Sequence, residues 1–236
     1  MHYNLLFCGC SFTEGLFPDS RFSHLVSDHF KYTHDNIAKH GISNDKIVEK
    51  TVEWFEADNT ADIAIIQFTH KARITWYNTF EEEFDFAPGI LKNKQYLNIP
   101  EVFDYFLINN IWNVIRQYYE LIYSEYMGDQ NFYKNLFVLD NYFKQKNIIP
   151  IYLTICKAPL PNKGWYKFCK DINIQHIIHG GTTGHPVLNP DNNSLIGNPQ
   201  TNPENFDAEL SKISRIGPSE LGHQKIADYI ISKIKI

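Results

Sequence analysis

The segment that decides the fold is Tyr3-Asn4-Leu5-Leu6-Phe7-Cys8, followed at once by Gly9-Cys10-Ser11-Phe12-Thr13-Glu14-Gly15. Its first part is apolar without polar alternation, a pattern typical of a strand buried on both faces of a parallel sheet. Its second part places glycines on both sides of a serine. Because open α/β sheets hold their ligands at the carboxyl ends of their strands, this serine stands where chemistry is expected. The segment predicts an interior strand followed by a functional turn.

Further strand patterns recur along the chain. Mainly apolar runs at 62–68 and 148–153 predict two more buried strands, the second with a proline near its beginning. Weaker patterns at 36–39 and 174–178 predict two others. These strands alternate with helical segments. The alternation predicts a three-layer α/β/α sandwich with a central, mainly parallel sheet of about five strands and helices on both faces.

The helical segments show apolar residues at helical spacing. Asn44 is expected to cap the first long helix, in which apolar positions recur from residue 47 to residue 55. Residues 100–146 predict two aromatic-rich helices broken near Gly128-Asp129. A C-terminal helix is predicted with Pro218 in its first turn and one apolar face.

The chain is interpreted as a single domain, residues 1–236, with long loops at about 75–100 and 180–205. Gly, Asn, Pro and Thr dominate the second of these loops. Structureless connections longer than roughly 12 to 15 residues are uncommon in compact domains, and those that occur usually serve as lids or binding loops.

Composition limits the classes of partner. The formal net charge of -5 argues against a nucleic-acid backbone and favours small or neutral ligands. No apolar run approaches the roughly 20 residues that cross a bilayer, and the start of the chain lacks the pattern of a signal peptide, so a cytoplasmic protein without a membrane span is expected. The four cysteines are too scattered for a disulfide framework and are expected to be reduced. No cofactor and no metal are expected, because His176, His179 and His185 lack the acidic partner or helix pattern of a zinc site.

The segment Gly9 to Gly15 resembles the first sequence block of the SGNH/GDSL hydrolases, a Gly-Asp-Ser-x-Thr-x-Gly pattern near the N-terminus. The resemblance implies a flavodoxin-like three-layer fold with Ser11 as the nucleophile. Cys10 replaces the aspartate of that pattern, which is not the catalytic aspartate of the family. A serine that only caps the next helix would give the same local sequence. The GxSxG and GxxxxGK[ST] patterns are absent.

A second resemblance lies at residues 217–227, which are similar to the last block of the family. In that block an Asp-x-x-His-Pro segment supplies the base and its orienting acid. Here Gly217 occupies the position of the base and Ser214 that of the acid. His223 matches a second family histidine, which belongs to the helix, and is interpreted as a packing or capping residue.

A serine hydroxyl is a poor nucleophile until a base takes its proton, so the missing histidine matters. His185 stands before a proline, as the family's base does, but about thirty residues early and in a glycine-rich loop. We take His185 as the candidate base. An exposed loop histidine without a catalytic role is the alternative.

The resemblance extends weakly to the middle of the chain. Gly41 is similar in position to the glycine whose amide helps to bind the oxyanion, although a turn glycine would look the same. Where the family has an oxyanion-binding asparagine, this chain has Thr69 and His70, either of which could donate a hydrogen bond, and Arg73, which could hold an anionic group. All three could also be ordinary residues at a strand end.

Three functions are compatible with the sequence. The first is an SGNH/GDSL-type serine esterase or acyl hydrolase that acts on a small ester, such as an acylated carbohydrate or glycan; the substrate class comes from the resemblance. The second is a degenerate member that keeps the fold and works as a binding or structural protein, as Gly217 and Ser214 suggest. The third, a flavodoxin-like nucleotide-binding module, lacks a phosphate-binding loop.

Overall fold

A computed structural model describes residues 3–15, 21–77, 83–86, 113–155, 164–177 and 220–234; for 76–77, 83–86 and 221 it describes the backbone alone. In chain order the strands and helices are β1 (Asn4–Gly9), α1 (Ser11–Glu14), α2 (Phe22–Phe30), β2 (Thr33–Asn36), α3 (Asn44–Glu56), β3 (Ile63–Phe68), β4 (Ile74–Tyr77), β5 (Glu83–Phe86), α4 (Glu125–Lys146), β6 (Ile149–Thr154), α5 (Tyr166–Cys169), β7 (Ile174–His176) and α6 (Glu220–Lys233). A further helical stretch, 113–117, continues as a π-helix over Tyr118–Ile122.

Five strands form one sheet in the order β2-β1-β3-β6-β7, and every neighbouring pair is parallel. The first strand of the chain is therefore interior, as its unbroken apolar sequence predicted. Pro150 stands second in β6, near the beginning of the strand, where a missing backbone donor is tolerated. The predicted α/β class and parallel sheet are confirmed.

Helices cover both faces of the sheet because each strand directs alternate side chains to opposite sides. One face is covered by α3 and α4, which close over Leu6, Cys8, Ala64 and Ile66 with Phe55, Phe132, Leu136 and Phe143. The other face is covered by α2 and α6, which close over Leu5, Phe7, Ile63 and Ile65 with Phe22, Val26, Ile226 and Ile230. The apolar face predicted for the C-terminal helix is confirmed at the last two of these positions; Pro218 lies outside the described residues.

The helix break predicted near Gly128-Asp129 lies elsewhere. The π-helix ends at Ile122, and α4 begins after Ser124, whose hydroxyl accepts a hydrogen bond from the Met127 N–H at 3.2 Å. Gly128 lies inside α4, where an added Cβ would be 2.3 Å from the Tyr123 hydroxyl. This glycine permits close packing and does not end a helix.

Two smaller predictions also change. Ser43, not Asn44, caps α3, and its hydroxyl accepts from the Lys46 N–H at 3.2 Å. Within the segment predicted as a loop at about 75–100, β4 and β5 pair as an antiparallel hairpin.

None of the helices in the described ranges combines the length and hydropathy that crossing a bilayer requires.

Candidate functional site

The candidate site lies at the carboxyl edge of the sheet, where the segments that follow β1, β2 and β3 meet. The chain after β2 continues alongside β1, because the Ile37 N–H donates to the Phe7 carbonyl at 2.9 Å and the Lys39 N–H donates to the Gly9 carbonyl at 3.0 Å. This pairing carries residues 37–41 past the turn that contains Ser11. On the other side, Gln67 of β3 is in register with Gly9.

Ser11 is the first residue of α1 and is only 8% exposed. Its hydroxyl has no hydrogen-bond partner among the described residues. Cys10 is the N-cap residue of α1 but makes no side-chain cap, unlike Ser43 and Ser124 in the longer helices. Within the described residues, neither the Cys10 side chain nor the Ser11 hydroxyl caps the N-terminus of α1.

The residues on either side of Ser11 are held by Gln67. The Gln67 Oε1 accepts from the Cys10 N–H at 3.1 Å, from the Cys10 thiol at 3.2 Å and from the Thr13 hydroxyl at 3.2 Å. Sequence reasoning missed Gln67. The available signal was a polar residue in the otherwise apolar run 63–68, since a buried amide requires partners.

The two positions that flank the turn, Gly9 and Gly15, require glycine for different physical reasons. Gly15 has φ 64, a left-handed conformation that favours glycine. Gly9 lies in the strand, and an added Cβ would be 2.4 Å from the Thr13 Oγ1 and 2.9 Å from the Gln67 carbonyl oxygen. Only Gly15 provides the sharp turn, whereas Gly9 allows α1 to pack against β3.

The turn after β3 is fixed by side chains from other elements. Asn44 binds both backbone groups of Thr69: its Oδ1 accepts from the Thr69 N–H at 2.7 Å and its Nδ2 donates to the Thr69 carbonyl at 3.3 Å. The Arg73 Nη1 donates to the Ile42 carbonyl at 3.4 Å, which ties this turn to the segment that contains Gly41. Thr69 is completely buried and Arg73 half-buried.

Lys71 connects the same turn to α4. Its Nζ lies 2.7 Å from Glu125 Oε2 and 2.5 Å from Asp129 Oδ1, and the Asp129 side chain is only 5% exposed. Residues 69–73 are thus tied to α3, to the segment that contains Gly41 and to α4, and they form one wall of the candidate site.

His70 lies in this wall as a neutral imidazole. Burial, followed by the positive charge of Arg73, lowers its pKa below the ordinary value. Its Nδ1 accepts from the Ala72 N–H at 3.3 Å. Since one nitrogen of a neutral imidazole accepts and the other donates, the proton of His70 is on Nε2.

His223 is a structural residue, as predicted. It is 3% exposed, and its Nδ1 accepts from the Phe22 N–H at 3.3 Å, which satisfies a donor in the first turn of α2. Burial and the charge of Arg21 lower its pKa to about 4, so the imidazole stays neutral. This histidine joins α6 to α2 and is not a base for Ser11.

The structure brings Ser11, Gly41, Thr69, His70 and Arg73 to one edge of the sheet. No histidine in the described ranges is hydrogen-bonded to Ser11, while His185, Ser214 and Gly217 lie outside those ranges. The described part of the chain contains no group of three or more His, Cys, Asp or Glu residues that could hold a metal ion. Cys8, Cys10 and Cys169 are buried free thiols.

The five-stranded parallel sheet with helices on both faces forms a three-layer α/β/α sandwich, the fold of solved GDSL/SGNH-type proteins, and Ser11 lies two residues after its interior first strand. The solved structure of a protein from Desulfitobacterium hafniense DCB-2 that is assigned to the lipolytic G-D-S-L family has this fold: it aligns with a TM-score of 0.50 at 12% identity, over 99% of this chain and 100% of that one. At this identity the likeness establishes the fold.

Two other solved structures align less well. The psychrotrophic esterase EstA from Pseudoalteromonas sp. gives a TM-score of 0.46 at 11% identity, over 98% of both chains. The lipase Lip_vut3 from a goat rumen metagenome gives 0.47 at 15% identity, over 98% of this chain and 96% of that one. No protein-family model and no curated protein sequence matches the chain.

Proposed function

We propose that the chain is a serine ester hydrolase in which Ser11 attacks the carbonyl carbon of a small ester. The observation that carries this proposal is the Ser11 hydroxyl, which stands at the carboxyl edge of the sheet and has no partner among the described residues, although the turn around it is fixed by hydrogen bonds. A hydroxyl that served only to cap α1 would bind a backbone N–H of that helix.

The oxyanion would be bound by the Ser11 and Gly41 N–H groups. The Ser11 N–H lies at the start of α1, where helices leave donors unpaired. Of the side chains after β3, His70 is the best additional donor, because its Nε2 carries the proton. Thr69 is less suited, since it is completely buried and Asn44 holds its backbone. Arg73 would hold an anionic group of the substrate.

His185 is the proposed base. None of the seven described histidines bonds to Ser11, and two of them, His70 and His223, already use Nδ1 as an acceptor. A histidine from the segment at about 180–205 would supply the base that the described residues lack. Acylated carbohydrates are the proposed substrate class, on the resemblance to the SGNH/GDSL family.

A second candidate is a binding protein with the same fold. Gly217 and Ser214 favour it, because they occupy the positions at which the family has its base and acid. Without general-base assistance, hydrolysis would be slower by about 10²- to 10⁴-fold. A ligand would then bind at the same edge of the sheet and remain unchanged.

Hydrolysis of a panel of short-chain aryl esters tests the two candidates. Ser11→Ala is expected to abolish hydrolysis because no acyl-enzyme can form, and His185→Ala to reduce it by ~10²- to 10⁴-fold because the base is lost. Ser232→Ala, an exposed serine on α6, is the control and should have the activity of the unmodified chain.

Activity that survives Ser11→Ala would place the chemistry elsewhere. Unchanged activity in His185→Ala, together with a large gain in the Ser214→Asp, Gly217→His double variant, would reject His185 as the base. No activity in any of these folded variants would favour the binding protein.

A further inference from the structure

Gln67 is the polar side chain of an otherwise apolar strand. It is completely buried, and its neighbours Ile66 and Phe68 belong to the apolar core. An unpaired buried amide would lower the free energy of unfolding by about 1 to 3 kcal/mol. The Gln67 side chain is therefore tolerated in the core only because it is hydrogen-bonded. In the sheet it lies in register with Gly9, two residues before Ser11.

The orientation of the Gln67 amide follows from its neighbours. The Cys10 N–H can only donate, so the side-chain atom 3.1 Å from it must be the oxygen. The same oxygen accepts from the Cys10 thiol and from the Thr13 hydroxyl. The Nε2 donates to the Phe68 carbonyl at 2.6 Å. A flipped amide would direct a donor at the Cys10 N–H.

These bonds hold the turn from its interior side and leave the Ser11 hydroxyl unused. Asn36 of β2 holds it from the other side, because its Nδ2 donates to the Thr13 carbonyl at 3.0 Å. We propose that Gln67 is a positioning residue for the nucleophile: it fixes Cys10 and Thr13, and thereby the direction of Ser11. This inference rests on the proposed function.

The expected effect is on reactivity, because a nucleophile must be held close to its attack geometry. Displacement of a reacting group by about 1 Å can cost about 10²-fold in rate. Without Gln67, Cys10 and Thr13 would lose these hydrogen bonds, while the backbone bonds of α1, the packing of Phe12 and the contact with Asn36 would remain. The hydroxyl would remain in the site but would sample more directions.

The test is the second-order rate at which a fluorophosphonate probe labels Ser11. Gln67→Leu, which keeps the approximate size and removes the bonds, should lower this rate by ~10- to 100-fold. The matched control is Asn135→Leu. It also removes a buried amide, one that donates to Asp45 at 3.1 Å between α3 and α4, and it should leave the labelling rate within about 2-fold.

A pH profile of Gln67→Glu separates positioning from stability alone. Protonated, the new carboxyl can donate to the Phe68 carbonyl and still accept from Cys10 and Thr13. Ionised, it would repel that carbonyl, and burial raises the pKa of a carboxyl. The labelling rate of Gln67→Glu should be close to that of the unmodified chain at low pH and should fall relative to it as the pH rises.

Labelling of Gln67→Leu at the rate of Asn135→Leu would overturn the inference and leave the proposed function standing. If the unmodified chain is not labelled at Ser11, the proposed function fails, and the positioning role fails with it. Should Gln67→Leu not fold, Thr13→Val removes one of the three donors and should lower the rate less, by ~3- to 10-fold. An unchanged rate in folded Thr13→Val would also count against the inference.

Discussion

Single residues around Ser11 show how this turn is held without the aspartate of the GDSL pattern. Cys10 is completely buried, and its thiol donates to the Gln67 Oε1 at 3.2 Å. Cys10 is therefore part of the support of the turn. A small, neutral donor suits this position because the atom that faces it is a carbonyl oxygen.

Gly9 and Gly41 should be sensitive to alanine for different reasons. Gly9→Ala places a Cβ 2.9 Å from the Gln67 carbonyl oxygen, a backbone atom that cannot move aside, and we expect a loss of about 2 to 3 kcal/mol in the free energy of unfolding. Gly41→Ala meets no atom within 4 Å but must adopt φ 87, with an expected loss of about 1 to 2 kcal/mol.

Urea unfolding measures the loss in free energy of unfolding for both alanine variants. Asparagine substitutions at the same two positions distinguish backbone strain at residue 41 from a steric clash at residue 9. Asparagine tolerates the left-handed region better than alanine, so Gly41→Asn should recover part of the loss at residue 41. The corresponding Gly9→Asn should be no better than Gly9→Ala. Equal stability of Gly9→Ala and the unmodified chain would refute the close approach of α1 to β3.

Pairs of elements are joined by buried polar contacts, and the contact between α2 and α6 should respond to pH. His223 has a pKa of about 4 in the folded chain and an ordinary value of 6.5, so the unfolded chain binds its proton first as the pH falls. The neutral form that accepts from the Phe22 N–H is favoured by folding. The contribution of neutral His223 to the free energy of unfolding is fully present above about pH 6.5 and decreases as the pH falls toward 4.

The measurement is the free energy of unfolding of the unmodified chain and of His223→Asn between pH 7 and 4. Asparagine keeps an acceptor near the position of Nδ1 and does not titrate. Relative to this variant, the unmodified chain should lose up to about 3 kcal/mol over that interval, from 1.36 kcal/mol per pKa unit. If the free energies of unfolding of the two proteins change with pH in parallel, the assignment of His223 as a buried, neutral imidazole is wrong.

At the level of elements, sequence patterns predicted the buried strands and the helix faces better than the helix ends. β1, β3 and β6 were predictable because strands buried on both faces read as unbroken apolar runs. The break before α4 was misplaced because Gly128 was interpreted as a helix breaker, whereas its role depends on Tyr123 lying against it. That contact belongs to the folded chain and leaves no local signal.

The candidate site was predictable in part for the same reason. Ser11 and Gly41 could be proposed from motifs because their neighbours along the chain carry the signal. Gln67 and Asn44 act on residues 57 and 25 positions away in the sequence, Cys10 and Thr69, so only the folded sheet shows their partners. His185, Ser214 and Gly217 stay predictions.

For the whole molecule, the parallel sheet places the first strand in the interior and the turn of Ser11 at the carboxyl edge. Helices on both faces leave this edge as the place where loops meet, which is the usual ligand crevice of open α/β sheets. The fold therefore explains where a ligand would bind, and the proposed chemistry depends on the Ser11 hydroxyl.

The most direct test of the central claim is the site of covalent modification by a fluorophosphonate probe, read by mass spectrometry of the digested protein. We expect a single adduct on Ser11 in the folded chain, none in Ser11→Ala and none in urea-unfolded protein, because the hydroxyl reacts only when its turn and base are assembled. An adduct on another residue, or no adduct on a folded chain that hydrolyses esters, would contradict the assignment of Ser11 as the nucleophile.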